Sequence, residues 1–301
     1  NNDIDLIEEN ISYQEFQELL DNYSFYQDDL VGDEVGIPLY FLGKKTNNSK
    51  IKVVQVGEGA DELFYGYDHW NRYLKLNKFF KPFFKSTKKY SSFKNHRLNM
   101  LSNILFNRTS FAGGALGFNL KELDSLIEDG LPNHSDLIFY ADNKWKDYFS
   151  NKNSKTSKWM TLIDLKIRLP ELLLMRMDKL VMQSAVEARV PFLDHKLVEY
   201  VLSLPEELLI DLTNTKSLLK KVALKYLPDQ IINRKKQGFR APIGEWIKKD
   251  EEKFYESVQQ FNSLVNLFNE RELNHILNGN DYQKKWYLIN LSNWHLARVA
   301  N

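Results

Sequence analysis

Apolar side chains recur at helical spacing over most of this chain and at strand spacing in one place. Tyr13, Phe16, Leu19 and Leu20 mark a short helix over 12–20. Ser12 opens it, with Glu15 three residues on, the spacing of a capping box. Residues 21–36 are acidic and polar and read as a loop carrying Gly32 and Gly36. Pro38 to Gly43 reads as a helix with proline at its start and glycine at its end, followed by a polar turn over 44–50. Ile51 to Val56 is the one clear strand, β-branched and nearly all apolar, the pattern of a buried parallel strand. Gly57-Glu58-Gly59 ends it, and a helix is predicted from Ala60 to Phe80. Residues 84–155 are polar and irregular to helical. From Lys158 to Val186 the apolar density is too high for a one-faced surface helix. One or two buried helices are expected there, with Pro170 at a break or in a first turn. Val190-Pro191 reads as a turn, and helices follow near 195–203, 215–226, 242–268 and 270–299. One strand among so many helices lacks a partner, so the sheet reads as incomplete.

Composition narrows the classes. Of 301 residues 43% are hydrophobic, enough for a sizeable core and too many for a chain disordered throughout. With no cysteine, these residues supply no disulfide, zinc-thiolate site, iron–sulfur cluster or cysteine nucleophile. The densest aliphatic run, Leu172 to Met175, falls far short of the ~20 residues of a membrane span, so no membrane partner is expected. A net charge of +1 makes no global case for nucleic acid. Charge is uneven locally. Residues 1–43 hold eleven acids and no Lys or Arg, whereas 69–121 hold eleven bases and no acid. Phe79, Phe80, Phe83 and Phe84 interleave with lysines in the basic stretch, so it reads either as a polyanion surface or as an amphipathic helical arm with a solvated lysine face. Pro82 and the poor alternation of the aromatics favour the arm.

Candidate chemistry concentrates in three segments. The first is the strand–turn–helix of Val53 to Phe64. Glycines at 57 and 59 let the backbone bend sharply and a ligand come close, and a helix N-terminus suits phosphate. Glu58, Asp61 and Glu62 crowd the same turn, and carboxylates tolerate a phosphate only with a cation between them, which implies magnesium. The plainer alternative is that Asp61 and Glu62 complement the helix dipole. The second segment sets Arg176, Asp178, Glu187, Arg189 and Asp194 in the most apolar part of the chain, either as pairs of one another or as the lining of a polar pocket. In the third, Lys216 stands at a predicted helix start, where a cation opposes the dipole, which favours retention for an anion. Asn233 to Phe239 follows it. The six histidines are scattered singly without metal-ligand spacing, and His69 alone lies near the glycine turn.

These segments together, Gly57 to Tyr67, Arg176 to Asp194, and Lys216 with Asn233-Arg234-Lys235-Lys236-Gln237-Gly238-Phe239, resemble in order and spacing the synthetase domain of the glutamine-hydrolysing asparagine synthetases. Ile37-Pro38-Leu39-Tyr40 and Gly113-Gly114 also look like family features. The resemblance runs from about residue 30 to the end of the chain. It implies a helix-rich α/β fold: an incomplete parallel sheet of an ATP-pyrophosphatase (adenine nucleotide alpha hydrolase-like) domain, followed by a helical C-terminal region. Along the chain, 1–83 would be the remainder of the nucleotide-binding core, 84–155 a basic, mostly helical insertion, and 156–301 the helical substrate-site region. The implied chemistry has a carboxylate, most readily aspartate, attack the α-phosphate of ATP. Magnesium pyrophosphate leaves, and ammonia from a glutaminase domain then displaces AMP. By position Asp61 would be a magnesium–pyrophosphate ligand, and Glu58 and Lys216 would be the catalytic residues. Glu58 would accept a proton where the adenylate meets ammonia, and Lys216 would stabilise the transferring phosphate. Val56, Gly57, Gly59 and Lys235 would contact the nucleotide, with Arg176, Asp178, Glu187, Arg189 and Asp194 around the substrate. ATP and Mg2+ are thus the implied cofactors. A cytoplasmic location is implied, and a homodimer stays open.

The sequence departs from the family in places. The Ser-Gly-Gly-x-Asp-Ser pyrophosphate loop and the glutaminase domain with its N-terminal cysteine are not in these 301 residues. Gly113-Gly114 follows the Gly57 turn and is no substitute for that loop. The expectation is a C-terminal part of a longer protein, inactive alone. Val56 stands where the family usually has serine, and Tyr65 where glycine is common, which leaves the acceptor open, a sugar or polysaccharide-precursor carboxylate included. A non-catalytic helical scaffold that binds a partner through its basic arm is the reading from another class.

Overall fold

A computed structural model describes residues 5–80, 117–131, 156–234 and 238–299. In chain order these form α1 Tyr13–Tyr23, α2 Gly36–Asn48, β1 Val53–Gln55, α3 Ala60–Leu63, α4 Asp68–Phe80, α5 Leu120–Leu126, α6 Thr156–Ile163, a π-helix Asp164–Leu174, α7 Met175–Met182, β2 Glu187–Arg189, a 3-10 turn Pro191–Leu193, α8 His195–Ser203, α9 Glu206–Leu209, α10 Ser217–Ala223, α11 Asp229–Ile232, α12 Ile243–Lys249, α13 Glu251–Val265, α14 Glu270–Leu277 and α15 Tyr282–Val299. They build two compact units interleaved along the sequence. One comprises Asn1–Val56, Leu174–Arg189 and Gly238–Asn301, the other Gly57–Leu173 and Val190–Gln237.

The first unit is helical and carries a short, partly exposed parallel strand pair. Ser12 and Glu15 close the expected capping box on α1 in both directions. The helix lays Phe16 on Trp246 at 4.5 Å, with Phe254 and Trp286 on its other sides. Helix α2 runs well past the expected stop at Gly43, and the expected turn over 44–50 is largely helix. A Cβ on Gly43 would sit 3.1 Å from the Val181 Cα, so that glycine serves the close approach of α7. The acids of residues 1–43 draw bases from elsewhere in this unit: Lys45 meets Glu9 at 2.8 Å, Arg176 pairs with Asp33, and Lys179 with Asp28. Of the basic 69–121 stretch, residues 81–116 lie outside the described residues.

Strand β1 pairs in parallel with β2, Val54 opposite Ala188. The pair is extended by Glu187 N donating to Lys52 O at 2.8 Å and Val56 N donating to Arg189 O at 2.9 Å. The strand is shorter than the predicted 51–56 and is not buried. Val53 is 41% exposed, and both strands alternate exposed and half-buried positions. Among the described residues β1 has one hydrogen-bonded neighbour, so its apolar composition exceeds the cover it receives. The partner is illegible in sequence because Glu-Ala-Arg carries no β-branched signal.

The C-terminal helices are more divided than their apolar spacing predicts. The stretch 242–268 splits at Asp250, whose φ of −150° leaves the helical region, into α12 and α13. Asn266 ends α13 in the left-handed region, where Asn262 takes the next turn by donating to Phe268 O at 2.9 Å and accepting from Phe268 N at 2.7 Å. The stretch 270–299 divides at Asn278-Gly279.

The second unit has its own core of Leu63, Phe64, Tyr65, Trp70, Tyr73, Trp159, Met160, Ile163, Val201 and Leu209. Here the predicted 60–80 helix is broken. After one turn, α3 stops at Phe64, Tyr65 takes φ 55°, and α4 starts at Asp68. The reversal costs strain at an aromatic residue. In return it buries Tyr65 edge-on against Trp70, 5.4 Å between rings. The apolar 158–186 stretch is helical as expected, but 164–174 winds as a π-helix with Pro170 inside it. Proline has no N–H to give, so one rung of any ladder is missing there, and π turns are rare and cluster at functional sites. Helix α8 occupies the predicted 195–203, with Asp194 accepting from Lys196 N at 3.0 Å and Leu197 N at 3.3 Å. The expected 215–226 helix is trimmed to α10. No helix among the described residues is long and apolar enough to cross a membrane.

Candidate active site

The glycine turn is built by its own backbone. Gly59 has φ 90°, a conformation L side chains rarely adopt, and a Cβ there would also meet Leu193 Cδ2 at 2.4 Å. Helix α3 begins at once, its backbone closed by Leu63 N donating to Gly59 O at 3.0 Å. Asp61 and Glu62 leave this single turn in different settings: Asp61 is half-buried, Glu62 is 1% exposed. Glu58 is half-buried within the turn. A Cβ on Gly57 would meet nothing within 4 Å, so the protein leaves room there.

The residue that reaches Asp61 comes from the third sequence segment. Lys216 Nζ lies 2.9 Å from Asp61 Oδ1, both side chains about three-quarters covered. Lys216 occupies the N-cap of α10 with φ 55° and ψ 34°, left-handed for a residue with a side chain. Strain of this kind costs about 1–3 kcal/mol and collects at functional sites. Gly66 completes the arrangement. A Cβ there would fall 1.8 Å from Asp61 Oδ1 and 2.4 Å from Lys216 Cε, so this glycine is what lets carboxylate and ammonium meet. Gly66 N also donates to Asp61 O at 2.9 Å.

A carboxylate touching an ammonium offers a cation one ligand and an anion one counter-charge. Magnesium takes one or two protein carboxylates and completes its shell with water and substrate phosphate oxygens. Asp61 could supply one such carboxylate, and Lys216 a counter-charge to the phosphate. Among the described residues no three His, Asp or Glu side chains form a metal cage.

Behind Asp61 lies a buried charged cluster of which the sequence pattern singles out only Glu62, and it places that carboxylate at the phosphate turn, whereas the structure buries it against Tyr67. The Tyr67 hydroxyl donates to Glu62 Oε1 at 2.5 Å. Arg168 Nη1 lies 3.6 Å from the same oxygen and 2.8 Å from Asp164 Oδ2, and its guanidinium sits 4.7 Å over the Tyr67 ring. Burial pushes the Asp164 carboxyl up to about 6, against the pull of Arg168 and with a further push from Glu62. Burial and Glu62 likewise raise the Tyr67 hydroxyl. The legible signal is Asp164 and Arg168 at i,i+4 inside an apolar run.

The raised Asp164 carboxyl ties stability to pH. Folded Asp164 holds its proton up to about pH 6, whereas unfolded Asp releases it near ~4. Stability from the neutral form is therefore complete below pH ~4 and lost as pH rises through 6, about 3 kcal/mol if fully expressed. Asp164→Asn cannot ionise. The stability difference between wild type and this variant, from chemical denaturation at pH 4.5 and 7.5, should move in the variant's favour at the higher pH. A pH-independent difference would refute this.

Four of the other expected site residues, Arg176, Glu187, Arg189 and Asp194, have structural partners. Arg176 is buried and pairs with Asp33, and Asp178 is exposed on α7. Glu187 and Arg189 pair with each other, Arg189 Nε donating at 2.8 Å, both exposed. Asp194 caps α8. Val56 is bound into the strand pair through its N–H. His69 places its ring 5.3 Å from Tyr67. Lys235 lies outside the described residues.

Comparison with known families decides the affiliation. The family model described as asparagine synthase matches residues 2–296. The chain belongs to the asparagine synthase family. Asparagine synthetase [glutamine-hydrolyzing] 1 of Bacillus subtilis is 28% identical over 264 residues, covering 85% of this chain and 41% of that protein. A putative asparagine synthetase [glutamine-hydrolyzing] of Mycobacterium tuberculosis is 29% identical over 311 aligned positions, 97% of this chain and 46% of that protein. A further Bacillus subtilis protein, asparagine synthetase [glutamine-hydrolyzing] 3, is 26% identical over 77% of this chain. The chain spans less than half the length of these asparagine synthetase relatives. In this family member Asp61 and Lys216, about half the chain apart in sequence, share one spot.

Proposed function

We propose that the full-length protein forms an amide in an ATP-dependent reaction and that this chain carries the carboxylate-activating half, on the ATP-pyrophosphatase type of fold. The acceptor is aspartate. Its carboxylate oxygen attacks the α-phosphorus of ATP, the bond to the β-phosphate oxygen breaks, and pyrophosphate leaves. Ammonia released from glutamine then attacks the acyl carbon and expels AMP. The observation that carries this reading is Lys216 against Asp61 at 2.9 Å beside a glycine that keeps the ground between them clear.

The residues divide the chemistry between them. Lys216 supplies a fixed positive charge for the pyrophosphate as negative charge builds on it, in a setting already organised before reaction. Asp61 would hold magnesium, which neutralises phosphate charge when bound. Glu58, at the turn, accepts the proton that ammonia loses on becoming the amide nitrogen. Gly57 and Gly59 keep the turn low enough for a phosphate to approach, and Lys235 adds a contact to the nucleotide. The segmental division into a nucleotide-binding core at 1–83, a basic insertion at 84–155 and a substrate-site region at 156–301 belongs to the same proposal, as does a cytoplasmic setting. Arg176, Asp178, Glu187, Arg189 and Asp194 would shape the surroundings of the carboxylate.

Exchange of labelled pyrophosphate into ATP by the full-length protein tests the proposal. Exchange should require both magnesium and aspartate, and Glu58→Gln should leave it largely intact while stopping amide formation. Exchange with a sugar acid but not aspartate would move the acceptor to that class. No exchange with any carboxylate would remove the reading.

A further inference from the structure

Helix α3, which carries Asp61, is a single turn and cannot hold its own shape, because nucleating a helix is unfavourable and short isolated helices are marginal. It is followed by a strained reversal at Tyr65 and by Gly66, whose backbone is bonded to that of Asp61. The π-helix braces the seven residues from Asp61 to Tyr67 at both ends. Arg168 approaches Glu62 at 3.6 Å at one end of the stretch and covers the Tyr67 ring at 4.7 Å at the other. The Tyr67 hydroxyl ties the two ends together through Glu62 at 2.5 Å. Asp164, fully buried on the same helix, holds Arg168 at 2.8 Å and so aims it. The Thr161 hydroxyl donates to the Tyr65 hydroxyl at 3.3 Å from the preceding helix.

We propose that Arg168 is a positioning residue for the Asp61–Lys216 pair, clamping residues 61–67 through Glu62 and Tyr67. The proposal rests on the reading of that pair as the pyrophosphate and magnesium site. A guanidinium is suited to such a clamp, because its Nη1 lies between the carboxylates of Asp164 and Glu62 while its planar face stacks on the Tyr67 ring, and a lysine ammonium has no such face. When the clamp loosens, the backbone bond from Gly66 to Asp61 opens more often, and the pair loses its alignment without losing a charge.

Two variants of the full-length protein test this. Arg168→Lys keeps the buried positive charge and gives up the planar group stacked on Tyr67. Tyr67→Phe keeps the ring under Arg168 and removes only the hydroxyl bond to Glu62. Amide hydrogen exchange at Leu63, Phe64 and Gly66 should quicken by roughly tenfold in Arg168→Lys and by less in Tyr67→Phe, with amides of α8 unchanged. The magnesium concentration for half-maximal ATP–pyrophosphate exchange should rise by about threefold or more. A role confined to general stability would lower kcat through lost active protein and leave the magnesium dependence where it was. Wild-type protection of 61–67 in both variants would overturn the clamp. If protection falls but Asp61→Asn has wild-type magnesium dependence, the clamp stands and the reading of the site fails. If Arg168→Lys does not fold, Tyr67→Phe decides alone.

Discussion

Replacing Lys216 by alanine should lower ATP–pyrophosphate exchange in the full-length protein by about 10²–10³-fold, the usual consequence of removing one preorganised group from a developing negative charge. Lys216 is poorly placed for stability on two counts. It is a cation at the N-cap of α10, where the helix dipole disfavours it. Its φ of 55° is uncommon for any residue with a Cβ. The contact with Asp61 that offsets this is partly open to water, and such pairs are worth only ~0–1 kcal/mol. A second substitution sharpens the point. Lys216→Gly removes the charge and also relieves the backbone, so the protein should become slightly more stable, by up to ~1 kcal/mol, while losing as much activity as the alanine variant. Stability that falls steeply in Lys216→Gly, measured by denaturant midpoint, would mean that the lysine is kept for the fold.

Gly66→Ala should cost about a hundredfold in the same exchange without adding or removing any charge. The added methyl would occupy the space that Asp61 Oδ1 and Lys216 Cε now share, at 1.8 and 2.4 Å from them. Both side chains must then swing away, and a displacement near ~1 Å is enough to lose that much alignment. The thermodynamic effect is smaller, because overpacking by one methyl usually costs ~1–3 kcal/mol and part is relieved as the two side chains move out. A variant that exchanges pyrophosphate like wild type would show that the contact between the pair plays no part in the chemistry.

Much of this fold is written in local sequence. The capping box at Ser12 and Glu15 and the Asp194 cap on α8 follow from short-range hydrogen bonding and occur at the positions their spacing predicts. The strand–glycine–helix at 53–63 is legible because backbone geometry at Gly59 demands glycine. Asp61 and Lys216 are each suspect for a local reason, carboxylates at a phosphate turn and a cation at a helix start. Their meeting is tertiary. The break at Tyr65 has no signal in the residue itself, since an aromatic at positive φ goes against its own preference and is held there by Trp70 and the core around it, although the glycine common at this position in the family suits that conformation. The π winding at 164–174 and the short strand β2 escape sequence reading for similar reasons. Arg168 looks like an ordinary charge and Glu62 like one more carboxylate of the phosphate turn, because nothing in sequence says they share one buried space. Conversely, Arg176, Glu187 and Asp194 stand out by type and motif, and the contacts they make are ion pairs and a helix cap.

Calorimetric titration of magnesium pyrophosphate into the full-length protein puts the Asp61–Lys216 site to the sharpest trial, in the wild type, Asp61→Asn, Lys216→Ala and the double variant. Binding should be at least ~tenfold weaker in each single variant, and the double variant should be no weaker than the worse of the two, because residues that act as one unit are not additive. Wild-type affinity in both single variants would refute the pyrophosphate site.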